Sequence, residues 1–344
     1  MRPCSYGWAI AAAAALVRTG ASSYDPRVKV RGRPFAIPAG VSDATVDTGE
    51  RAVRLTNLPK VYFPHIGLTK GDLLQYYADV SPLLLPHVAD RPMVMKRYPG
   101  GADGEFFFMK RTPAGAPEWL RTCPVEHGSG KVIDFPIVDD LAALLWVVNL
   151  GCIDLNQWYA RCDDPNRPDY LHFDLDPVKD PKKGRTPFEV VREGALILKD
   201  ALDALGMPAF AKTSGSAGIH VYVPIARGPE QHDVWRFAKA FALTVAAQHP
   251  AVLTSEYTIA KRPSGRVLVD YNQNAWGRTL ASIYSVRPTP RASVSTPVGW
   301  DEIEGGVTIE DFRVDNVRER FARVGDLWAP LLAKTKRVKL ERYL

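Results

Sequence analysis

The stretch YLHFDLDPVKD, residues 170–180, carries an apolar run into two aspartates separated by one leucine and then breaks on proline. Side chains alternate faces along a strand, so Asp174 and Asp176 share a face while Leu175 points away. Two carboxylates on one face repel unless something neutralises them. Two readings remain open for the pair: solvated acids ahead of an Asp-Pro turn, or oxygen ligands for a hard divalent cation. Asp270 ends a second apolar run, RVLVD, and is followed by YNQN. It reads either as a turn-former or as the third carboxylate that a two-cation phosphoryl-transfer site needs.

The segment KTSGSAGIH, residues 212–220, adds a loop with Ser214, Gly215, Ser216 and Gly218, whose backbone N–H groups suit an anion. It lacks GxxxxGK[ST], and a strand rather than a helix follows it, which excludes a nucleotide P-loop. His220 opens that strand, as a structural histidine or as a donor to a phosphate oxygen. Arg278 and Arg287, in NQNAWGRTLASIYSVR, carry planar guanidinium groups that match phosphate oxygens. Upstream, Lys60 and Lys70 flank VYFPHIGLT, and Phe106, Phe107 and Phe108 sit beside Lys110 and Arg111. Aromatic rings interleaved with cations are what stacking on bases and neutralising phosphates require. Three consecutive phenylalanines cannot all face one core from a strand, so at least one has another use.

These residues need elements to hold them. TKGDLLQYYADVSPLLLPHV places Leu73, Leu74, Tyr77, Val80 and Leu84 at helical spacing, with Thr69 as N-cap. RPMVMKRYP and GEFFFMKR read as strands joined by GGADG. IVDDLAALLWVVNLG and FEVVREGALILKDALDALGM read as helices stopping at Gly151 and Gly206. AFAKTSGSAGIHVYVPI is a strand, glycine loop and strand; DVWRFAKAFALTVAAQHP is an amphipathic helix; RVLVDYNQN and LASIYSVR add strands. Helices interleaved with strands around a mixed sheet indicate α+β or α/β. No internal repeat is visible.

The chain has 344 residues, 46% hydrophobic and 24% charged, enough for one large or two modest domains. Lys and Arg outnumber Asp and Glu by 44 to 38, a net charge of +6 that permits a polyanionic partner without demanding one. Four cysteines, Cys4, Cys123, Cys152 and Cys162, show no CxxC pair or metal-finger spacing. They are expected as reduced thiols in a cytoplasmic protein. No apolar run reaches the roughly 18 residues of a membrane span, so no membrane partner is expected. Residues 1–50, rich in Ala, Gly, Ser and Pro, read as an N-terminal extension, although an alanine-rich core after Arg2 resembles a weak export signal. Residues 51–320 read as the folded domain, and 321–344 as a basic C-terminal segment with a solvated end.

The order LTNLPKVYFP, TKGDLLQYY, LLPHVADRP, KRYPGG, FFFMKR, NLGCIDLNQW, RPDYLHFDLDP, KTSGSAGIHVYVPI, VLVDYNQN, YSVR and VSTPVGWDEI resembles the archaeo-eukaryotic primase superfamily. More narrowly, it resembles the polymerase domain of bacterial DNA ligase D and its stand-alone primase-polymerase relatives, from about Arg54 to about Arg320. The resemblance implies an α+β primase-polymerase core built on an RRM-like antiparallel or mixed sheet with flanking helices. It implies template-directed nucleotidyl transfer, preferring ribonucleotides, at gaps or breaks in DNA. Two divalent cations, Mn2+ or Mg2+, would be bound by Asp174, Asp176 and Asp270. Ser214 with Gly215 and His220 would contact the phosphates and sugar of an incoming NTP or dNTP, and Arg287 with Arg278 the triphosphate. Lys60 and Lys70 match the pair that reads a downstream 5′-phosphate on gapped or broken duplex DNA, and Phe107 and Phe108 the aromatics that stack on the template. A separate DNA ligase and Ku are the implied protein partners, in non-homologous end joining.

Where ligase D domains carry a histidine before the tryptophan, this chain has Asn156, which leans toward the stand-alone branch often called type C. A ligase lysine motif and a nuclease-like histidine cluster are both missing from these 344 residues. Two competitors define the tests. A metal-dependent nuclease would use the carboxylates without the triphosphate-gripping set. A non-catalytic DNA-end-binding module would use the lysines and phenylalanines without the aspartates.

Overall fold

The computed structural model describes residues 35–49, 51–126, 130–178, 185–335 and 337–344. An antiparallel pair, β1 (Ala44–Asp47) and β2 (Ala52–Leu55), comes first, so ordered pairing begins inside the stretch read as extension. Residues 1–34 of that extension lie outside the described residues. A second pair, β3 (Val61–Phe63) and β4 (Leu68–Thr69), delivers the chain to α1 (Lys70–Val88). Thr69 caps α1 as its sequence predicts. Its hydroxyl accepts from the Asp72 N–H at 3.1 Å, and the Asp72 carboxylate accepts from the Thr69 N–H at 2.8 Å. The helix buries Leu73, Leu74, Tyr77, Val80 and Leu84 and packs against α2 (Leu141–Asn149), whose N-cap is Asp140.

Between these helices run β5 (Met93–Arg97), β6 (Phe107–Met109) and a hairpin of β7 (Thr122–Glu126) and β8 (Val132–Pro136). After α2 comes β9 (Cys152–Gln157), which pairs with β5 to give a three-stranded sheet in the order β6-β5-β9. The hairpin closes a small second core of Val94, Cys123, Val125, Phe135, Ile137 and Trp158. Here the thiol expectation is corrected. Cys123 and Cys162, 39 residues apart, form a disulfide with their Cα atoms 5.7 Å apart, because folding lays β7 beside the chain leaving β9. No short spacing announces such a pair. Cys152 is free and buried, and Cys4 lies outside the described residues.

The second half builds the larger sheet from β10 (Tyr170–Pro177), β11 (Phe210–Thr213), β12 (Ile219–Pro224), β13 (Leu253–Thr254), β14 (Val267–Asp270) and β15 (Pro297–Val298). Their order is β13-β14-β10-β12-β11-β15, antiparallel except for the β13–β14 pair. Helices α3 (Pro187–Ala204) and α4 (Gln231–Gln248) cover one face. Phe173 meets Phe241 of α4 there, ring centroids 5.1 Å apart. Alternation then turns His172, Asp174 and Asp176 to the opposite face. The architecture is α+β with a mixed sheet.

Two further expectations fail locally. LASIYSVR is not a strand: Tyr284 adopts φ 59°, and the segment keeps a single bridge, Val286 with Val294. The basic C-terminal stretch is not a solvated end. Val338 bridges Ile225, Leu340 is buried, and Arg337 Nη1 donates to the Asp169 carbonyl at 2.5 Å. Val338 and Leu340 alternate with Lys339 and Glu341, which lets one side dock while those two charges stay exposed.

Candidate active site

Strand register builds a row across four strands. Lys212 of β11 stands opposite His220 of β12, His220 opposite Asp174 of β10, and Asp174 opposite Asp270 of β14. Directly opposed residues share a face, so an amine, an imidazole and two carboxylates lie side by side. Asp174 is 8% exposed and Asp270 9%. Burial, then the Asp270 charge, pushes the Asp174 carboxyl up to about 7. Asp176, two residues on, opens to solvent and is also pushed up to about 7, first by the Asp174 charge. Asp270 is held differently: its carboxylate accepts from the Tyr257 hydroxyl at 2.5 Å, the Asn272 N–H at 2.8 Å and Gln273 Nε2 at 2.9 Å.

Asp174 Oδ1 is buried and has no hydrogen-bond donor among the described residues. His220 Nε2 lies 3.2 Å from it, in a geometry short of a hydrogen bond. Surplus negative charge, an orphaned carboxylate oxygen and an all-oxygen donor set fit a hard divalent cation. Among the described residues no three His, Cys, Asp or Glu side chains converge into a closed cage. An open pair of carboxylates is how Mg2+-type sites are built when substrate phosphates supply the other ligands.

The glycine loop stands at the end of β11, next to this row. Ser214 Oγ accepts from the N–H groups of Ser216 at 3.1 Å and Gly218 at 2.9 Å, so the hydroxyl shapes the loop and keeps its own proton to donate. Those two N–H groups are therefore engaged within the loop. Gly215 has φ 68°, and a Cβ there would stand 2.7 Å from Arg287 Cγ and 2.8 Å from Ser295 N. At Gly218 a Cβ would stand 2.3 Å from the Leu175 carbonyl and 3.1 Å from Asp176 Oδ1, so only glycine lets the loop approach the carboxylates. Arg287 locks the loop from outside, Nη1 donating to the Ser214 carbonyl at 2.9 Å.

Arg287 also joins this row to a second one. In the β6-β5-β9 sheet Phe108 stands opposite Lys96, and Lys96 opposite Asp154. Asp154 Oδ2 lies 3.3 Å from Arg287 Nε. Lys96 Nζ sits 4.1 Å from the Phe106 ring centroid, a cation over an aromatic face. Phe107 and Phe108 are 43% and 58% exposed, and Phe106 is exposed as well, so none of the three serves the core. Lys60 Nζ donates to the Pro99 carbonyl at 2.6 Å, in the turn between β5 and β6. Lys70 Nζ donates to the Thr56 carbonyl at 2.7 Å, and burial, then the Lys60 charge, pushes its amine down to about 8. Lys60 and Lys70 together, with Lys70 opening α1, make a position that favours an anion.

The structure thus brings together Asp174, Asp176, Asp270, Ser214, Gly215, His220 and Arg287. Lys60, Lys70, Phe107 and Phe108 gather around the β5–β6 hairpin. Arg278 is exposed, beyond the turn that follows β14, and its side chain has no partner among the described residues. Lys96, Asp154 and Lys212 were not singled out from the sequence. Their one signal is a charge inside an apolar strand, in MVMKR, CIDLN and FAKT.

A family model described as LigD, primase-polymerase domain, matches residues 69–328. The multifunctional non-homologous end joining DNA repair protein LigD of Mycobacterium tuberculosis H37Rv is 34% identical over 286 residues, 81% of this chain and 37% of that protein. The bifunctional non-homologous end joining protein LigD of Bacillus subtilis is 30% identical over 274 residues, 79% of this chain and 43% of that protein. The chain therefore spans less than half the length of these curated relatives. The solved polymerase domain from Mycobacterium tuberculosis ligase D in complex with DNA superposes with a TM-score of 0.76 at 33% identity, covering 83% of this chain and 99% of that one.

Proposed function

The chain belongs to the LigD primase-polymerase domain family, and from that premise we propose that it extends DNA primer ends by template-directed nucleotidyl transfer, with a preference for ribonucleotides. The observation that carries the reading is the Asp174–Asp270 pair, with an orphaned carboxylate oxygen, beside a glycine loop locked by Arg287. Asp174, Asp176 and Asp270 are the residues to hold two divalent cations, Mn2+ or Mg2+. Bound there, the cations supply Lewis-acid stabilisation of the transferring phosphoryl group and acidify the attacking primer 3′-hydroxyl. Arg287 and the Ser214 hydroxyl face the triphosphate, and Nε2 of His220 is free to donate to a nucleotide oxygen. Arg278, unpaired at the surface, is available to the same polyanion.

Lys60 and Lys70 are assigned to a downstream 5′-phosphate on gapped or broken duplex DNA, and Phe107 and Phe108 to stacking on the template. The relatives' names point to end joining as the setting, where a separate ligase and Ku are the expected partners. The test incubates the protein with a gapped duplex, Mn2+ and either NTPs or dNTPs and reads product length. Longer products, more efficient with NTPs, are expected. Shorter products would mean a nuclease, and unchanged length with retained binding would mean a non-catalytic end-binding module.

A further inference from the structure

Lys212 is 0% exposed, on β11 next to the edge strand of the large sheet, and no carboxylate among the described residues lies within ion-pair distance of it. A lysine buried without a carboxylate partner is costly, and an apolar side chain would fill the same space more stably. Its contacts indicate what the amine does there. Lys212 Nζ lies 2.5 Å from Ser295 Oγ and 2.8 Å from His220 Nδ1. The Ser295 hydroxyl already donates its proton to the Thr213 carbonyl at 2.8 Å, so toward Lys212 it accepts. That contact fixes the amine at the sheet, within hydrogen-bond distance of the imidazole Nδ1.

We propose that Lys212 is a positioning residue for nucleotidyl transfer: by donating to Nδ1 it sets His220 as the Nε2–H tautomer, with that N–H presented to the carboxylate site and the nucleotide. The second ring nitrogen of a histidine takes its state from the partner of the first. Strand register makes the arrangement rigid, since Lys212, His220 and Asp174 are consecutive members of one cross-strand row. Nε2 makes no hydrogen bond of its own to Asp174, so its proton remains available for a nucleotide oxygen.

The tautomer is read directly from the ring nitrogen resonances of the 15N-histidine-labelled full chain, with the His220→Asn variant identifying which of the seven histidines is His220. In the wild type Nδ1 is expected unprotonated and Nε2 protonated. Lys212→Met is expected to abolish that preference and lower kcat for extension tenfold or more, with affinity for gapped DNA unchanged. Lys212→Gln, which keeps an N–H for Nδ1, is expected to restore most of both. The kinetic arm rests on the polymerase reading, whereas the spectrum does not, so the two fail separately. A wild-type His220 protonated on Nδ1 overturns the proposal even if Lys212→Met does not fold. So does a Lys212→Met protein with unchanged tautomer and kcat.

Discussion

In the proposed function Asp174 is the residue on which the chemistry turns, and its environment makes a measurable claim without any substrate. Its carboxyl is pushed up to about 7, from an ordinary value of 3.8. Below about pH 4 the group is protonated in both the folded and the unfolded chain. Between that pH and 7 the unfolded chain ionises it while the folded chain holds its proton, so stability from this group is lost as pH rises. The thermal midpoint of metal-free wild type should therefore fall from pH 5 to 7.5 relative to Asp174→Asn, by on the order of a few °C. Mn2+ should raise the wild-type midpoint at pH 7.5 and leave the variant nearly unmoved. Parallel midpoint curves for the two proteins would remove the buried-charge account. At this scale the sequence is uneven. Asp174, Asp176 and Asp270 are legible as carboxylates closing apolar runs ahead of turn residues, and His220 as a histidine just after a glycine loop. Lys96, Asp154 and Lys212 are not, because a lone charge in an apolar strand declares no partner until register supplies one.

The glycine loop between β11 and β12 is the element that sets the site's shape, and its tolerance for a side chain is testable. Gly215→Ala places a Cβ against Arg287 Cγ and the Ser295 N–H at positive φ, and should destabilise the fold by about 1–3 kcal/mol. Gly265→Ala shares the positive φ, at 69°, but its Cβ meets open space. Urea titration of both should show the larger loss at Gly215, and equal losses would mean that crowding by Arg287 is not real. Helices α1 to α4 follow from the sequence because caps and 3.6-residue periodicity are local. The segment from Leu280 to Arg287 misled because β-branched and aromatic residues suit a strand, yet a left-handed turn at Tyr284 ends the run. The Cys123–Cys162 bridge and the docked C-terminal stretch were illegible for the same reason: each depends on a partner brought near only by the tertiary fold.

At the scale of the molecule, two sheets carry two rows of charged and aromatic residues, and Arg287 links them. The β5–β6 side presents cations and exposed rings to a polyanion; the β10–β14 side presents carboxylates to cations. Under the proposed function that division separates DNA recognition from catalysis and gives each its own variant. Lys60→Ala/Lys70→Ala should remove a preference for gaps with a 5′-phosphate over a 5′-hydroxyl, about tenfold at low salt and shrinking as salt rises, with basal primer extension retained. A phosphomonoester carries more negative charge than an internal diester, so two converging lysines gain Coulomb energy from it. Identical binding of the two gaps by wild type would detach the lysines from that role. The most direct measurement is extension of a gapped duplex in Mn2+ by wild type and by Asp174→Ala, with DNA binding followed in parallel. Loss of a cation ligand removes several kcal/mol of transition-state stabilisation, so extension should fall by about a thousandfold or more while binding holds or tightens. Near-wild-type extension by Asp174→Ala would contradict the assignment of the carboxylate row as the catalytic centre.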